Sequence, residues 1–312
     1  MIIERNQDFE YSPDGTVLYR VPADMVGTVE IPDGIVELGD DAFRGCTQVT
    51  RVILPDTLVR IGALCFEGCR SLKFIKIPKS VRFIGEFAFM GCTFLKNVQL
   101  PKKLKHLGHG AFENCISIEN IDIPGSVSEV PQWCFSGCLS LKYVELSEGI
   151  KSLGSHAFLQ CRSIKVIVLP DSLKHIGGWC FCECDGLTEV VIPAKVEKIG
   201  SCPFAFAKNL HKITVYSTNN NFTSVDGALY AKDMHRLICC PVGYEGEFTV
   251  PEGVNHIGSG AFLNCVGITE VHLPDTVDSI GNYAFEGCRN LKSVRIPPSV
   301  TDMGEEVFRR KR

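Results

Sequence analysis

Residues 77–99 read Ile77-Pro78-Lys79-Ser80-Val81-Arg82-Phe83-Ile84-Gly85-Glu86-Phe87-Ala88-Phe89-Met90-Gly91-Cys92-Thr93-Phe94-Leu95-Lys96-Asn97-Val98-Gln99, and Leu100-Pro101 starts the same pattern again. Outward from this stretch, units of 23 residues begin at Ile31, Leu54, Ile77, Leu100, Ile123, Leu146, Leu169 and Ile192 without a gap. They resume at Val250 and Leu273, and a shortened unit starts at Ile296. The shared pattern is I/L-P-x-x-V-x-x-I-G-x-x-A-F-x-G-C-x-x-L-x-x-V-x. Its thirteenth position is Phe in every unit, from Phe43 to Phe308. The second is Pro except at Ser147, and the ninth is Gly except at Pro131. A register this strict marks a repeat architecture.

Each part of the unit has a physical reading. In Leu72-Lys73-Phe74-Ile75-Lys76-Ile77 apolar residues alternate with variable ones, which predicts a short strand with one buried face. Pro at the next position cannot donate to a ladder, so the strand should stop there. Gly at position nine suits a tight turn or a positive φ. The A-F-x-x-C stretch should return the chain through a turn or a short 3-10 piece. One unit cannot bury its Phe, Ile, Val and Leu alone; stacked copies bury them against each other.

The I-P, I-G, A-F-x-G-C and L-x-x-V segments (Ile77-Pro78, Ile84-Gly85, Ala88 to Cys92, Leu95 to Val98) resemble leucine-rich repeats, and more narrowly the 23-residue class of BspA-like surface proteins and treponemal leucine-rich-repeat proteins. The expected fold class is a repeat solenoid: a leucine-rich-repeat right-handed superhelix with a parallel β-sheet on the concave face and short turns or 3-10 segments on the convex side. The resemblance implies a non-enzymatic protein-binding scaffold of the adhesion or surface-interaction type, whose partners are host, matrix or other surface proteins.

Residues 1–30 and 215–249 lie outside the period and resemble each other. The first holds Asp14-Gly15 and Leu18-Tyr19, the second Asp226-Gly227 and Leu229-Tyr230. Asp-Gly between apolar residues reads as a hairpin turn. The expected organisation is a β-hairpin cap (1–30), eight repeats (31–214), a β-hairpin insert (215–249), and two further repeats plus an incomplete one (250–312). The last unit ends Phe308-Arg309-Arg310-Lys311-Arg312 with no hairpin after it. Self-association through an uncapped C-terminal repeat, or service as a structural module of a larger assembly, is therefore the alternative reading.

The chain has 16 Cys. Nine stand at position sixteen (46, 69, 92, 115, 138, 161, 184, 265 and 288), where the eighth unit has Ala207. A position that accepts Ala wants a small buried group, and free Cys is one. Cys65, Cys134 and Cys180 replace Ala at position twelve, small for small. Cys180-Phe181-Cys182-Glu183-Cys184 spaces its thiols by one residue, whereas zinc loops space them by two to four. No His stands in a triad, an H-E-x-x-H motif or a nucleophile elbow. The glycines recur with the repeat and form no phosphate loop. No catalytic, cofactor-binding or metal residues, and no cofactor, are expected.

The 312 residues are 45% hydrophobic and 22% charged, as in a folded domain. The net charge of -4 argues against a nucleic-acid binder. No apolar run is long enough to cross a bilayer, so no membrane insertion is expected. The first residues carry charge at positions 4, 5, 8 and 10 and lack a signal-type apolar core. That, with many unpaired Cys, leans towards a reducing cytoplasm; the family resemblance leans towards the cell surface.

The outward positions of the strand segment would form a continuous face, with 9 Lys/Arg against 5 Asp/Glu, most basic in the first three units. Its candidate binding residues are Arg51, Phe74, Lys76, Lys96, Tyr143, Val166, Val168, Glu189 and Val191. Cations would steer an acidic partner there, and the exposed apolar side chains would anchor it. Val and Tyr are also common on any strand surface.

Overall fold

The computed structural model describes residues 8–309, and the chain divides into two compact units, Met1–Ile164 and Lys165–Arg312. The boundary falls inside the sixth repeat. Arg310, Lys311 and Arg312 of the basic tail, and residues 1–7, lie outside the described residues.

In the first unit each of the first five repeats contributes to two parallel ladders and one stack of turns. In the first ladder Gly27–Glu30 pairs with Val49–Ile53, and that strand with Phe74–Ile75. Single bridges carry it from Phe74 to Asn97 and from Asn97 to Asn120, and Asn120–Ile123 pairs with Tyr143–Leu146. From Arg51 onward each residue pairs with its equivalent in the next repeat, so the sequence period is the register of the sheet.

The second ladder was not foreseen. The V-x-x-I-G segment forms a strand of two residues per repeat: Glu37–Leu38, Arg60–Ile61, Phe83–Ile84 and His106–Leu107, in parallel. Val17–Arg20 leads this ladder and pairs antiparallel with Glu10–Tyr11. Leu38, Ile61, Ile84 and Leu107 are buried, and their neighbours at position seven point out. Glu129–Val130 and Ser152–Leu153 pair in the same way. A strand of two residues offers too short an alternation to stand out from a turn.

The A-F-x-G-C segments form turns, the first of the two expected forms, with no helix among the described residues. The cause is the backbone at position eleven. Asp41, Leu64, Phe87, Trp133 and His156 all take a left-handed φ of 53–61°, which interrupts a right-handed helical run. The turns close on themselves, Arg44 N–H donating to Asp41 C=O at 2.9 Å, and alternate residues hydrogen-bond to the next repeat. Phe43 N–H donates to Cys65 C=O at 2.7 Å, and Phe66 N–H to Ala88 C=O at 2.7 Å.

The reading of position nine is also corrected. Gly62 and Gly85 do not have a positive φ. They are Gly because the backbones touch: a Cβ on Gly62 would lie 2.5 Å from the carbonyl carbon of Gly39, and one on Gly85 2.5 Å from the Ala63 nitrogen. Left-handed glycines stand at other positions of the repeat instead, fifteen among them, as at Gly45 with φ 72°.

The core of each unit is the repeat's own apolar set. Phe43, Phe66, Phe89, Phe112, Phe135 and Phe158 stack in one column, with centroids 4.9–5.6 Å apart. All are fully buried, and offset stacking at this spacing adds to their burial. Beside them runs a column of thiols. Cys69, Cys92, Cys115, Cys138 and Cys161 each donate from Sγ to the Phe carbonyl of the preceding repeat at 3.0–3.3 Å. Position sixteen is thus a small apolar group that also satisfies a buried acceptor.

The second unit repeats the plan around the insert. Glu189–Ile192 pairs in parallel with Lys212–Val215 in the first ladder, and Gly246–Thr249, Ile268–His272 and Ser293–Val294 form another run of it. His175–Ile176 pairs with Lys198–Ile199 in the second. The insert is a three-stranded meander, Phe222–Val225, Ala228–Ala231 and Arg236–Cys239, not a single hairpin. Asp226 and Gly227, both at positive φ (50° and 78°), make its first two-residue turn, the pattern of a type I′ hairpin. Arg236–Cys239 then leads a parallel ladder through His256–Ile257, Ser279–Ile280 and Asp302–Met303. Val17–Arg20 therefore corresponds to Arg236–Cys239, and not to the Leu229-Tyr230 strand that the sequence likeness suggests. In these modules only the short links 21–26 and 240–245 separate the strands of the two ladders, whereas the first repeat spends the longer link 39–48 on the same step. Both modules therefore lack the A-F-x-G-C turn.

Candidate functional site

The outward residues of the first ladder are the candidate face. In the first unit Arg51, Phe74 and Tyr143 occupy one column with Asn97 and Asn120 between them. Phe74 is 45% exposed and Tyr143 70%. At about 4.8 Å per strand they lie roughly 14 Å apart along the sheet. Lys76 and Lys96 are exposed on flanking columns. In the second unit Val166 and Val168 are 63% and 72% exposed, and Val191 39%. Glu189 is exposed beside Lys212, its partner in register.

Three of the nine residues come together. Arg51, Phe74 and Lys76 line a depression of about 340 Å³ at the start of the first unit, walled also by Ile53, Pro55 and Pro78. The Arg51 guanidinium carbon lies 6.0 Å from the centre of the Phe74 ring, at the outer limit of a cation–π contact. Glu30, Asp33 and Asp56 complete the wall. These carboxylates were missed: Glu30 belongs to the cap, and Asp33 and Asp56 follow the Pro that ends the strand, one step beyond the stretch taken as the face. The depression holds two cations against three carboxylates, so the face is of mixed charge here and not simply basic. The sequence signal was present, since Asp recurs at position three in Asp33 and Asp56.

Charges elsewhere pair along columns at the repeat spacing. Arg44 meets Glu67 at 2.6 Å, Arg60 meets Glu37 at 3.0 Å, Lys142 meets Glu119 at 3.1 Å and Lys174 meets Glu197 at 2.8 Å. On the second ladder the Arg60 guanidinium carbon lies 3.9 Å from the Phe83 ring centre, and Phe83 stacks on His106 at 4.3 Å. Burial and the neighbouring Arg60 push the His106 pKa down.

Burial raises the thiols instead. Cys46 is pushed up to about 11 and Cys182 to about 12 by desolvation, so these are not activated nucleophiles. The three thiols of the Cys180–Cys184 stretch are buried, and no cluster of metal-ligating side chains occurs among the described residues. No helix of the described residues is long and apolar enough to cross a membrane.

The profile of the BspA type leucine rich repeat region matches in six copies, over residues 25–142, 106–231 and 245–312. The chain belongs to this BspA-type family. Solved structures similar to this BspA-type chain include a leucine rich cell surface protein from Faecalibacterium prausnitzii, at 26% identity and a TM-score of 0.70, covering 98% of this chain and 85% of that one. A leucine-rich repeat protein from Bacteroides ovatus matches at 23% identity and a TM-score of 0.62, covering 96% and 90%. The pneumococcal vaccine antigen PcpA matches at 19% and 0.57, covering 99% and 78%. The last two likenesses bear on the fold alone. No curated protein sequence matches the chain.

Proposed function

We propose that this BspA-type chain is a non-enzymatic protein-binding scaffold of the adhesion or surface-interaction type, and that it binds through the outward residues of its first ladder. The observation that carries the reading is the depression at Arg51, Phe74 and Lys76. There a half-exposed aromatic ring sits on a rigid sheet among charges of both signs. An aromatic anchor with Arg beside it is the composition of an interface hot spot. The charges around it select partners by complementarity. Tyr143 in the first unit and Val166, Val168 and Val191 in the second extend the reading to further anchors.

Surface placement is part of the proposal, supported by the cell-surface relative at 26% identity. The cysteines do not oppose it. Fifteen of the sixteen are buried, and a buried thiol with a raised pKa resists oxidation in any compartment. The test is capture of partners from extracellular-matrix and host-surface fractions on immobilised protein. Phe74→Ala with Tyr143→Ala should release most of the retained protein. If every partner stays bound to that variant while its melting temperature is unchanged, the first-ladder face is not the binding site. Light scattering over a hundredfold range of concentration tests the self-association alternative.

A further inference from the structure

The turns that carry the chain from the first ladder to the second change charge from repeat to repeat. In the third and fourth repeats they read Pro78-Lys79-Ser80-Val81-Arg82 and Pro101-Lys102-Lys103-Leu104-Lys105. Lys79, Lys102, Lys103 and Lys105 are exposed, and Arg82 is partly so. Residues 73–112 hold eight Lys/Arg and a single carboxylate, Glu86, on a chain whose net charge is -4.

The fold brings the two turns together. Phe83 and Ile84 pair in register with His106 and Leu107, and Lys105 N–H donates to the Arg82 carbonyl at 2.8 Å. Lys79 and Lys102 share position three, and Arg82 and Lys105 share position six, so equivalent residues stand about 4.8 Å apart along the stack. Each turn is closed from within, Val81 N–H on Pro78 C=O at 3.1 Å and Leu104 N–H on Pro101 C=O at 2.9 Å. The Arg82 guanidinium donates to the Lys79 carbonyl at 2.7 Å and to that of Val81 at 3.0 Å. Elsewhere the repeat sets a carboxylate beside its cations, as Glu37 beside Arg60 and Glu119 beside Lys142. Among the described residues none of these five cations has an ion-pair partner. Five like charges held side by side repel, and an anion laid across them relieves that repulsion.

The patch has two ends. At position three Asp33 and Asp56 precede Lys79, and Gly125 and Glu148 follow Lys102. The cationic area is therefore two repeats deep, roughly 10 Å along the stack. A long polyanion laid along the stack would run onto Asp56, whereas a short one laid across it follows the turns. The Phe83 ring has Arg60 3.9 Å from its centre and His106 stacked at 4.3 Å, which leaves no face on which a nucleic-acid base could stack. No large apolar side chain is exposed in either turn, so a protein partner finds no anchor there.

We propose that the turns at Lys79, Arg82, Lys102, Lys103 and Lys105 bind a short stretch of a sulfated glycosaminoglycan. Its charge is dense and carried on flexible sugars, and lysine ammonium groups are mobile point charges with three donors each, able to follow sulfates of uneven spacing. This surface lies apart from the aromatic anchors of the first-ladder face and does not depend on them.

The probe is a heparin-derived hexasaccharide, with binding measured by calorimetry. The expected result is saturable binding that weakens about tenfold or more between about 50 and about 300 mM salt. Lys102→Gln with Lys103→Gln and Lys105→Gln should weaken it about tenfold at low salt, where few charges are screened. Arg82 is left in place because its guanidinium also holds the turn. Arg289→Gln with Lys292→Gln and Arg295→Gln removes the same charge from exposed positions of the second unit and should leave the affinity within a factor of about two, because screening confines charge effects to near neighbours. Phe74→Ala with Tyr143→Ala should bind the hexasaccharide as the parent does, which separates this inference from the protein-binding reading. Equal weakening by the two charge-removal variants overturns the proposal, as does loss of binding in Phe74→Ala with Tyr143→Ala. An unsulfated hyaluronan hexasaccharide that binds as tightly, or a short single-stranded DNA that binds more tightly, overturns it as well. Should the lysine variant melt well below the parent, the comparison of these probes on the wild-type protein decides alone.

Discussion

A single carbon separates the two kinds of glycine in the repeat. At Gly62 the neighbouring backbone is 2.5 Å from where a Cβ would sit, whereas at Gly45 nothing lies within 4 Å but φ is 72°. Gly62→Ala must push two repeats apart and should cost more than about 2 kcal/mol, as overpacking does. Gly45→Ala meets only the left-handed penalty, about 1 kcal/mol. Urea unfolding of the two variants checks the order, and equal losses would show that backbone contact does not set position nine. In the fully buried Phe column, Phe89→Ala should cost about 3–5 kcal/mol. Cys92→Ala removes one thiol–carbonyl bond and should cost about 1 kcal/mol.

At the scale of elements, legibility followed the length of the pattern. The strand of L-x-x-V-x-I could be read because alternation runs over the whole segment and recurs. The strand of V-x-x-I-G could not, because pairing covers only two residues, such as Arg60 and Ile61. The exposed residues of the candidate face followed from the same alternation. The acidic wall of its depression did not, because Glu30, Asp33 and Asp56 approach it from the cap and from beyond the strand-ending Pro. Asp226-Gly227 was legible as a turn since only a few residue pairs tolerate two positive φ values in succession. The identity of the strands flanking it was not, because that depends on which of them meets the next repeat. Gly227→Val places a β-branched side chain at φ 78°, with the His211 carbonyl oxygen 3.2 Å from the new Cβ. It should lower stability by about 1–3 kcal/mol, measured by thermal melting. A melt unchanged from wild type would mean that this turn is free to rearrange.

At the scale of the molecule, the buried thiols couple stability to alkaline pH. Burial lifts their folded pKa values above those of the unfolded chain, to about 11 for Cys46 and about 12 for Cys182. Their contribution to stability is therefore fully present below about pH 8.5 and is lost as pH rises through the folded values. The urea midpoint should fall steadily from pH 8.5 to 11 and recover on return to pH 7 in reductant. A midpoint flat across that range would mean that the thiols are not buried as described.

The repeat-to-repeat hydrogen-bond register has a further consequence, for how such a chain changes length. Every ladder partner in the first unit from Arg51 to Tyr143, and every ring in its Phe column, meets a counterpart one period away. Excising the segment 78–100, one full period, joins Ile77 to Pro101 and recreates each of those meetings with a different copy. An excision one position shorter or longer than the period turns inward-facing side chains out at the joint. The first deletion should fold with a melting temperature within a few degrees of the parent, and the two off-period deletions should not fold. Viable lengths then come in steps of one period, with the exposed residues reshuffled at each step.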